Sequence, residues 1–437
     1  MKITCELHGT VRDAFGTDAA TAELREGATV ADLLTALDGG EERLDPLVRT
    51  ADGEIRSHIA VHVDGEPVAA CDGADTGLDD GDKVTILPSV AGGSATLPFE
   101  MEIVRLGNAA FEGHNNCYVL GLEPDAELTL VDTGFPTDET RADLEEGLTD
   151  LGVEFADVER ILLTHWHGDH AGLAAAIQET SGCTVHAHET DTPLIDGSEA
   201  TQDTDDPAFL DTLDSWGMPS AKQTELTEFL DAAAAEYASP TVETFADGAR
   251  FDLGSVELEA VHLAGHTAGL CGFAFDGHDG RELFAGDALL PYYTPNVGGA
   301  DVRVTDPLDA YLDTLTRIVD GGYERAWPGH RGAIVDPTGR AADIIDHHRE
   351  RTRRVVGVLA DGPATPWEVS AALFGSLRAI HILHGPGEAF AHLNHLTAAG
   401  LATQTDAGYE LTTPEPETDA LFPDVRDRLR SGYEPVH

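Results

Sequence analysis

ILLTHWHGDHAG, residues 161–172, sets three imidazoles and one carboxylate within six residues, directly after an apolar run that reads as a strand. Nitrogen and oxygen donors brought to one point in this way suit zinc and similar divalent metals. Read as surface histidines, His165, His167 and His170 leave Asp169 interrupting the run to no structural benefit. The run alone supplies too few ligands to fill two metal shells, so further donors are expected from other strand ends. His266 in HLAGHTAG, Asp287 in LFAGDAL and His330 in AWPGHRG each follow an apolar strand, and each adjoins a glycine that lets the backbone turn tightly.

Working outward, residues from about 100 to 340 alternate apolar strands with helical stretches: ELTLVDTG, VERILLTH, CTVHAH, VELEAVHLAGH, RELFAGDALL and ERAWPGH. Each ends in a polar or charged residue where the strand stops, and strand ends gathered on one edge of a layered α/β core are where sites are usually built. Between Thr190 and about Gly248 lies an insert rich in Asp, Glu, Ala and Thr. Its helices are expected at Ala208–Trp216 and Glu225–Tyr237, as a lid or pocket wall, or simply as a surface hairpin.

In these motifs, taken in order over roughly residues 100 to 335, the chain resembles the metallo-β-lactamase superfamily, and more closely its glyoxalase II-like hydrolases. The resemblance implies an αββα sandwich. It implies one metal on His165, His167 and His266, a second on Asp169, His170 and His330, and Asp287 bridging both. Asp132 of LVDTG matches a residue that supports the site from behind its ligands. His262 occupies a neighbouring place in the motif without being a ligand. His186 and His188 form another HxH, but with no acid in ligand register they read as structural, and the lone His114 is unremarkable. Asn116 is a candidate for the pocket wall, as are Tyr292, Tyr293 and Asn296 just beyond Asp287.

Two metals about 3.5–4 Å apart can share a water, lower its pKa towards neutrality, and present hydroxide to an electrophilic carbon or phosphorus. The same cations stabilise the developing oxyanion, so no Ser/His/Asp arrangement is required. A metal-bound water or the carboxylate of Asp169 is the expected proton carrier. Zinc is favoured, with iron or manganese as alternatives.

Residues 1–93 read as a small α+β unit. Ile3–Leu7 and Lys83–Leu87 are strand-like, Thr29-Val30-Ala31-Asp32 offers a helix cap, and Val30, Leu33, Leu34 and Leu37 share one helical face. MKITCELHGTVRDAFG, GATVADLLTAL and DDGDKVTILPSVAGG resemble the sulfur-carrier and ubiquitin-like (MoaD/ThiS-like) family, whose β-grasp domain exposes a C-terminal Gly-Gly for activation. The matching carrier tail is Gly92-Gly93, and an E1-like adenylating enzyme is the implied partner. Here Ser94-Ala95-Thr96 follows, so Gly93 has no free carboxylate. Either the chain is cut there or the unit is a docking or structural module.

After about Ala341 the pattern turns helical. Thr365-Pro366-Trp367-Glu368 is a capping box with proline at the first helical position, and Gly387–Ala399 is a second helix stopped by Gly400. LATQT, DAG and YELT then read as a hairpin, the order of a winged-helix domain over 341–437. HHRERTRRVVGVLADGPATPWEVSAALFG resembles the C-terminal domain of a metallo-β-lactamase subgroup that includes a ribonuclease. Three functions follow: hydrolysis of a small thioester, ester or lactone; RNA phosphodiester cleavage; or handling of a sulfur-carrier conjugate. The presumed recognition helix holds His392 and His395 but no Lys or Arg, which makes nucleic acid an unlikely partner, and the domain then serves packing or homodimer formation.

Composition reports habitat. Against 26 Lys+Arg stand 80 Asp+Glu, a formal charge of −54 spread along the whole length. Molar salt, with a Debye length of about 3 Å, removes most of that self-repulsion, so a halophilic cytoplasm is expected. Five cysteines without a CxxC pair suggest neither a disulfide framework nor a thiolate zinc site. No signal peptide and no run of about 18 apolar residues is evident, so a soluble, cytoplasmic protein is expected, with no membrane contact.

Overall fold

The computed structural model describes residues 1–7, 19–25, 27–38, 48, 55, 59–63, 66–68, 73–78, 81–88, 97, 99–107, 114–199, 204, 206–233, 238–278 and 280–429. The chain divides into two compact units that meet between Thr96 and Leu97.

In the first unit, β1 (Lys2–Leu7), β2 (Ala19–Glu23), β3 (Ile59–Val63), β4 (Glu66–Pro67) and β5 (Lys83–Pro88) form one sheet in the order β2-β1-β5-β3-β4. β1 pairs antiparallel with β2 and parallel with β5. Its alternation sends Ile3, Cys5 and Leu7 inward, the period expected of a half-buried strand. Helix Val30–Asp38 starts on a reciprocal cap, with the Asp32 amide donating to Thr29 Oγ1 and the Thr29 amide to Asp32 Oδ2. It packs Val30, Leu33 and Leu34 on Ile3, Val84 and Ile86. A helix clasped by such a mixed sheet is a β-grasp. Gly92 and Gly93 lie outside the described residues.

The second unit is a sandwich of two sheets. β6 (Met101–Leu106), β7 (Asn115–Leu120), β8 (Thr129–Val131), β9 (Arg160–Leu162), β10 (Thr184–His188) and β11 (Val242–Phe245) line up as β11-β10-β9-β8-β7-β6. β12 (Arg250–Asp252), β13 (Glu257–His262), β14 (Cys271–Asp276), β15 (Arg281–Gly286) and β16 (Arg325–Pro328) follow in sequence order. Between the sheets, Tyr118, Leu120, Val131 and Leu162 meet Phe251, Phe273, Phe275 and Phe284, each burial contributing about 1.5–3 kcal/mol. On the outer face of the first sheet, helices Asp138–Asp150 and Ala174–Ser181 bring Leu144, Leu148 and Ile177 onto Leu130, Ile161 and Leu163. Helix Pro307–Gly321 is tied to the second sheet by Tyr311 Oη donating to Ala288 O and Thr314 Oγ1 to Ala264 O. The layers are therefore helix, sheet, sheet, helix.

C-terminal helices Pro337–Ala360, Pro366–Phe374 and His381–Ala398 and the hairpin β17 (Ala402–Thr405) and β18 (Gly408–Leu411) belong to this same compact unit. The boundary expected at 340/341 falls inside helix Pro337–Ala360, whose Ala341, Ala342, Ile344 and Ile345 are buried. The capping box forms, with the Glu368 amide on Thr365 Oγ1 and the Thr365 amide on Glu368 Oε2. The next helix begins at His381, six residues before the expected Gly387, and runs through Gly385-Pro386-Gly387. Packing overrides the breaker signal: Gly385 is pressed on Ser370 and Leu377, and Gly387 on Gly299.

The insert forms helices Pro207–Ser215 and Ser220–Ala233, the second starting earlier than expected. It is not a free surface hairpin, because Phe209, Leu213, Trp216, Met218 and Leu226 are buried with Leu377, Ile382 and Leu383. Among the described residues no helix is long and apolar enough to cross a membrane. Cys5, Cys117, Cys183 and Cys271 are buried and unpaired; Cys71 is outside the described residues.

Candidate metal centre

Strand ends at one edge of the sandwich deliver the site. β8 ends at Val131, and Asp132 follows in the left-handed region (φ 60°). That turn aims its carboxylate at the next loop: Thr164 N donates to Oδ1 and Thr164 Oγ1 to Oδ2, both at 2.8 Å. β9 ends at Leu162, His165 and His167 follow in the loop beyond it, and the short helix Gly168–Ala171 carries Asp169 and His170. His266 sits in the β13–β14 loop, Asp287 just beyond β15 and His330 just beyond β16.

The structure brings the seven residues into two overlapping clusters. In the first, His165 Nε2 lies 2.9 Å from His167 Nδ1, which lies 3.2 Å from His266 Nε2. The other ring nitrogens are committed: His167 Nε2 to Ala300 O at 3.1 Å and His266 Nδ1 to Asn296 O at 2.9 Å. A carbonyl can only accept, so those nitrogens carry the hydrogens, and in neutral rings the facing Nδ1 of His167 and Nε2 of His266 are bare lone pairs. Two acceptors at 3.2 Å repel each other unless a cation lies between them.

In the second cluster, His330 Nε2 stands 3.5 Å from Asp169 Oδ2 and 3.4 Å from Asp287 Oδ2, and His170 Nε2 stands 3.6 Å from Asp287 Oδ1. His170 Nε2 and Asp287 Oδ1 are buried without a hydrogen bond, while His170 Nδ1 is held by Asp132 Oδ2 at 2.8 Å. Asp287 also faces the first cluster, with Oδ2 3.8 Å from His266 Nε2. Gly329 closes the floor: a Cβ there would lie 2.4 Å from Asp287 Oδ1 and 2.6 Å from His170 Cε1. Orphaned buried atoms, bare lone pairs and a cradle that a methyl group would fill all fit a pair of cations.

Electrostatics divides the clusters. Burial, together with the neighbouring imidazoles, holds His165 well below the usual histidine range and His266 down to about 4. Burial likewise outweighs Asp169 to keep His167 low. Burial also pulls on His170 and His330, but Asp169 and Asp287 overcome it and push both up. In turn burial raises Asp169 and Asp287, and His170 and His330 override it to hold both carboxylates ionised.

Other candidates fall differently. Asn116, expected at the pocket wall, is buried and gives its amide to Pro328 O (3.0 Å) and Arg331 O (2.8 Å), bracing the turn that presents His330. Its neighbour Asn115, which sequence reasoning passed over, donates to Asp169 Oδ2 at 3.1 Å, because successive strand residues point to opposite faces. Tyr293 is half exposed, and the Arg331 guanidinium lies over both it and Tyr292. Asn296 contributes its carbonyl to His266 and its side-chain amide to His384 O and Glu388 Oε2 of the C-terminal helix. His262 stacks on His188 and bonds Ala268 O, and His186 packs on Phe251, all outside the clusters. A second missed group is Asp191, Asp301 and Arg303, an ion-paired knot that grips the His266 loop through Thr267 Oγ1 and the Ala268 and Gly269 amides.

The family model described as "Metallo-beta-lactamase superfamily" matches residues 110–330, half of the chain, and the "ThiS family" model matches residues 5–93. The probable metallo-hydrolase YqjP of Bacillus subtilis is 29% identical over 279 residues, 62% of this chain and 85% of that protein. The atrochrysone carboxyl ACP thioesterase of Aspergillus fumigatus is 25% identical over 277 residues, 60% of this chain and 69% of that one. Among solved structures, a metallo-beta-lactamase family protein of Thermus thermophilus superposes with a TM-score of 0.59 at 29% identity, covering 71% of this chain and 98% of its own.

Proposed function

Because the chain belongs to the metallo-beta-lactamase superfamily, we propose that its hydrolase chemistry is binuclear, with His165, His167 and His266 holding one divalent cation, Asp169, His170 and His330 a second, and Asp287 bridging them. The observation that carries this reading is the pair of bare nitrogens of His167 and His266 facing each other at 3.2 Å. When bound, the cations, zinc in preference to iron or manganese for this donor set, supply the Lewis acidity that activates water and polarises the scissile carbonyl. The protein's own groups do the rest. Asp132 fixes the ring of His170 from behind, and Asn115 holds Asp169 Oδ2 in the cluster, which leaves the other oxygen of that carboxylate as the one assigned to accept the proton from water and return it to the leaving group.

A small thioester, ester or lactone is the substrate class we favour. A relative named as a thioesterase supports it. So does the state of Arg349, Arg351, Arg353 and Arg354, the basic cluster that an RNA would need: Arg349 pairs with Asp346, Arg351 with Glu388, and Arg353 with Glu350 and Asp419, Arg354 bonds Leu373 O, and His392 and His395 are buried. Metal analysis of the purified protein in molar KCl, followed by a panel of thioesters, esters and single-stranded RNA, tests the reading. Thioester or ester turnover lost in His165→Ala supports it; rapid RNA cleavage lost in the same variant replaces the substrate class.

For the N-terminal unit, the ThiS-family match that runs up to Gly93 supports docking to an E1-like adenylating partner. Capture of such an enzyme by the intact chain, and a single full-length species by intact mass, are the results expected of a docking module.

A further inference from the structure

The C-terminal helices carry a buried polar cluster that the hydrolytic chemistry does not use. Glu388, on helix His381–Ala398, pairs with Arg351 of helix Pro337–Ala360. Its Oε1 also stands 3.8 Å from His348 Nδ1 and from His392 Nε2. Those three side chains converge closely enough to hold a metal, but the Arg351 guanidinium already supplies the cation at Glu388. Burial raises the Glu388 carboxyl, Arg351 and His392 pull it back well below the usual range, and His348 and His392 are driven towards the neutral form by burial. The cluster is thus one ion pair with two neutral imidazoles.

Its other carboxylate oxygen reaches out of the helices. Glu388 Oε2 accepts from Asn296 Nδ2 at 3.1 Å and from Val297 N at 3.2 Å. Asn296 Nδ2 also donates to His384 O, and its Oδ1 accepts from Gly299 N, so the segment is tied at both ends of that side chain. The contact is backbone to backbone: a Cβ on Gly387 would lie 2.3 Å from Gly299 Cα, and one on Gly298 2.6 Å from Gly387 O. This segment supplies the carbonyls of Asn296 and Ala300, which fix the rings of His266 and His167.

We infer that Glu388, anchored by Arg351, is a positioning residue for the His165/His167/His266 cation site, acting through the Asn296–Ala300 segment. The inference rests on the binuclear reading above. It makes the C-terminal helices part of the metal centre: they set where two of its carbonyl supports stand, whereas the second cation site is braced by Asp132 and Asn115. Groups that hold a ligating ring directly, here the carbonyls of Asn296 and Ala300, are worth about 10- to 100-fold in affinity, which sets the upper bound for Glu388 standing behind them.

The test is cobalt(II) and zinc titration of the chelator-stripped full-length protein, reading each site by its affinity and by the visible cobalt spectrum. Glu388→Gln is expected to weaken one cation by up to about 10-fold, with a change in the spectral component of the His165/His167/His266 site, and to move the other less. Asn296→Ala, which removes the side-chain bonds to Glu388, His384 and Gly299 and keeps the carbonyl, is expected to shift the same site in the same direction, and it carries the test if Glu388→Gln does not fold. A lowered melting temperature with both affinities intact, or equal weakening of both cations, overturns the inference alone. A wild-type protein that takes up no divalent cation overturns the binuclear reading and this inference with it.

Discussion

The two clusters of the centre use the same side chain to opposite ends. His167 and His266 lean on backbone carbonyls, neutral acceptors that fix the ring without favouring its protonation strongly enough to offset burial. His170 leans on the carboxylate of Asp132, and both it and His330 face Asp169 and Asp287, so burial loses and both rings are pushed towards imidazolium. One cluster is a preformed set of lone pairs. In the other, the facing carboxylates favour the protonated rings, so protons compete with a cation there. Which acceptor stands behind an imidazole decides whether a site awaits its metal open or must exchange protons for it.

The hardest blow to that division is at the residue both clusters share. Asp287→Ala should remove both cations and lower turnover by about 100- to 1,000-fold or more; elemental analysis that still finds one equivalent would show that the bridge belongs to one cluster only. Next come the paired variants His266→Ala and His330→Ala. Each is expected to retain one equivalent of metal, and loss of both in either variant would merge the clusters into one cooperative site.

Asp132→Asn sharpens the contrast from behind the ligands. It should cost the Asp169/His170/His330 cation about 10- to 100-fold in affinity and the three-histidine site, which Asp132 reaches only through Thr164 and His165, less, measured by competitive chelation. The mildest expectation concerns pH. Imidazole takes a cation only when neutral, so a raised pKa means that protons compete at higher pH. Stepwise dialysis from about pH 8 to about pH 5 should therefore strip the His170/His330 side first, while the His266 side, with that ring held to about 4, keeps its cation to lower pH.

Much of this was legible from the chain because local signals pointed one way. Ile161–Gly172 packs a strand end and four donors into a dozen residues, and His266, Asp287 and His330 each stand at the end of an apolar run that the inter-sheet core requires. The β-grasp unit was readable from the two-residue period of Ile3, Cys5 and Leu7 and the helical face of Val30, Leu33 and Leu34. What escaped was set by pairing across long separations. Asn115 and Asn116 are adjacent, and only the pairing of β7 with its neighbours decides which one meets Asp169. Asp191 finds Arg303, and Glu388 finds Asn296, across stretches for which no local pattern exists. Helix His381–Ala398 defied its own Gly385-Pro386-Gly387 because close approach to Gly299 needs glycine more than the helix needs propensity.

The floor glycine of the centre has a practical corollary. A single carbon added at Gly329, just beyond β16, would press on the ends of Asp287 and His170, with the nearest backbone atom, Gly286 C, at an ordinary 3.4 Å. Gly329→Ala is thus a one-atom stopper, a route to a folded twin of the enzyme in which substrate capture can be watched with catalysis switched off.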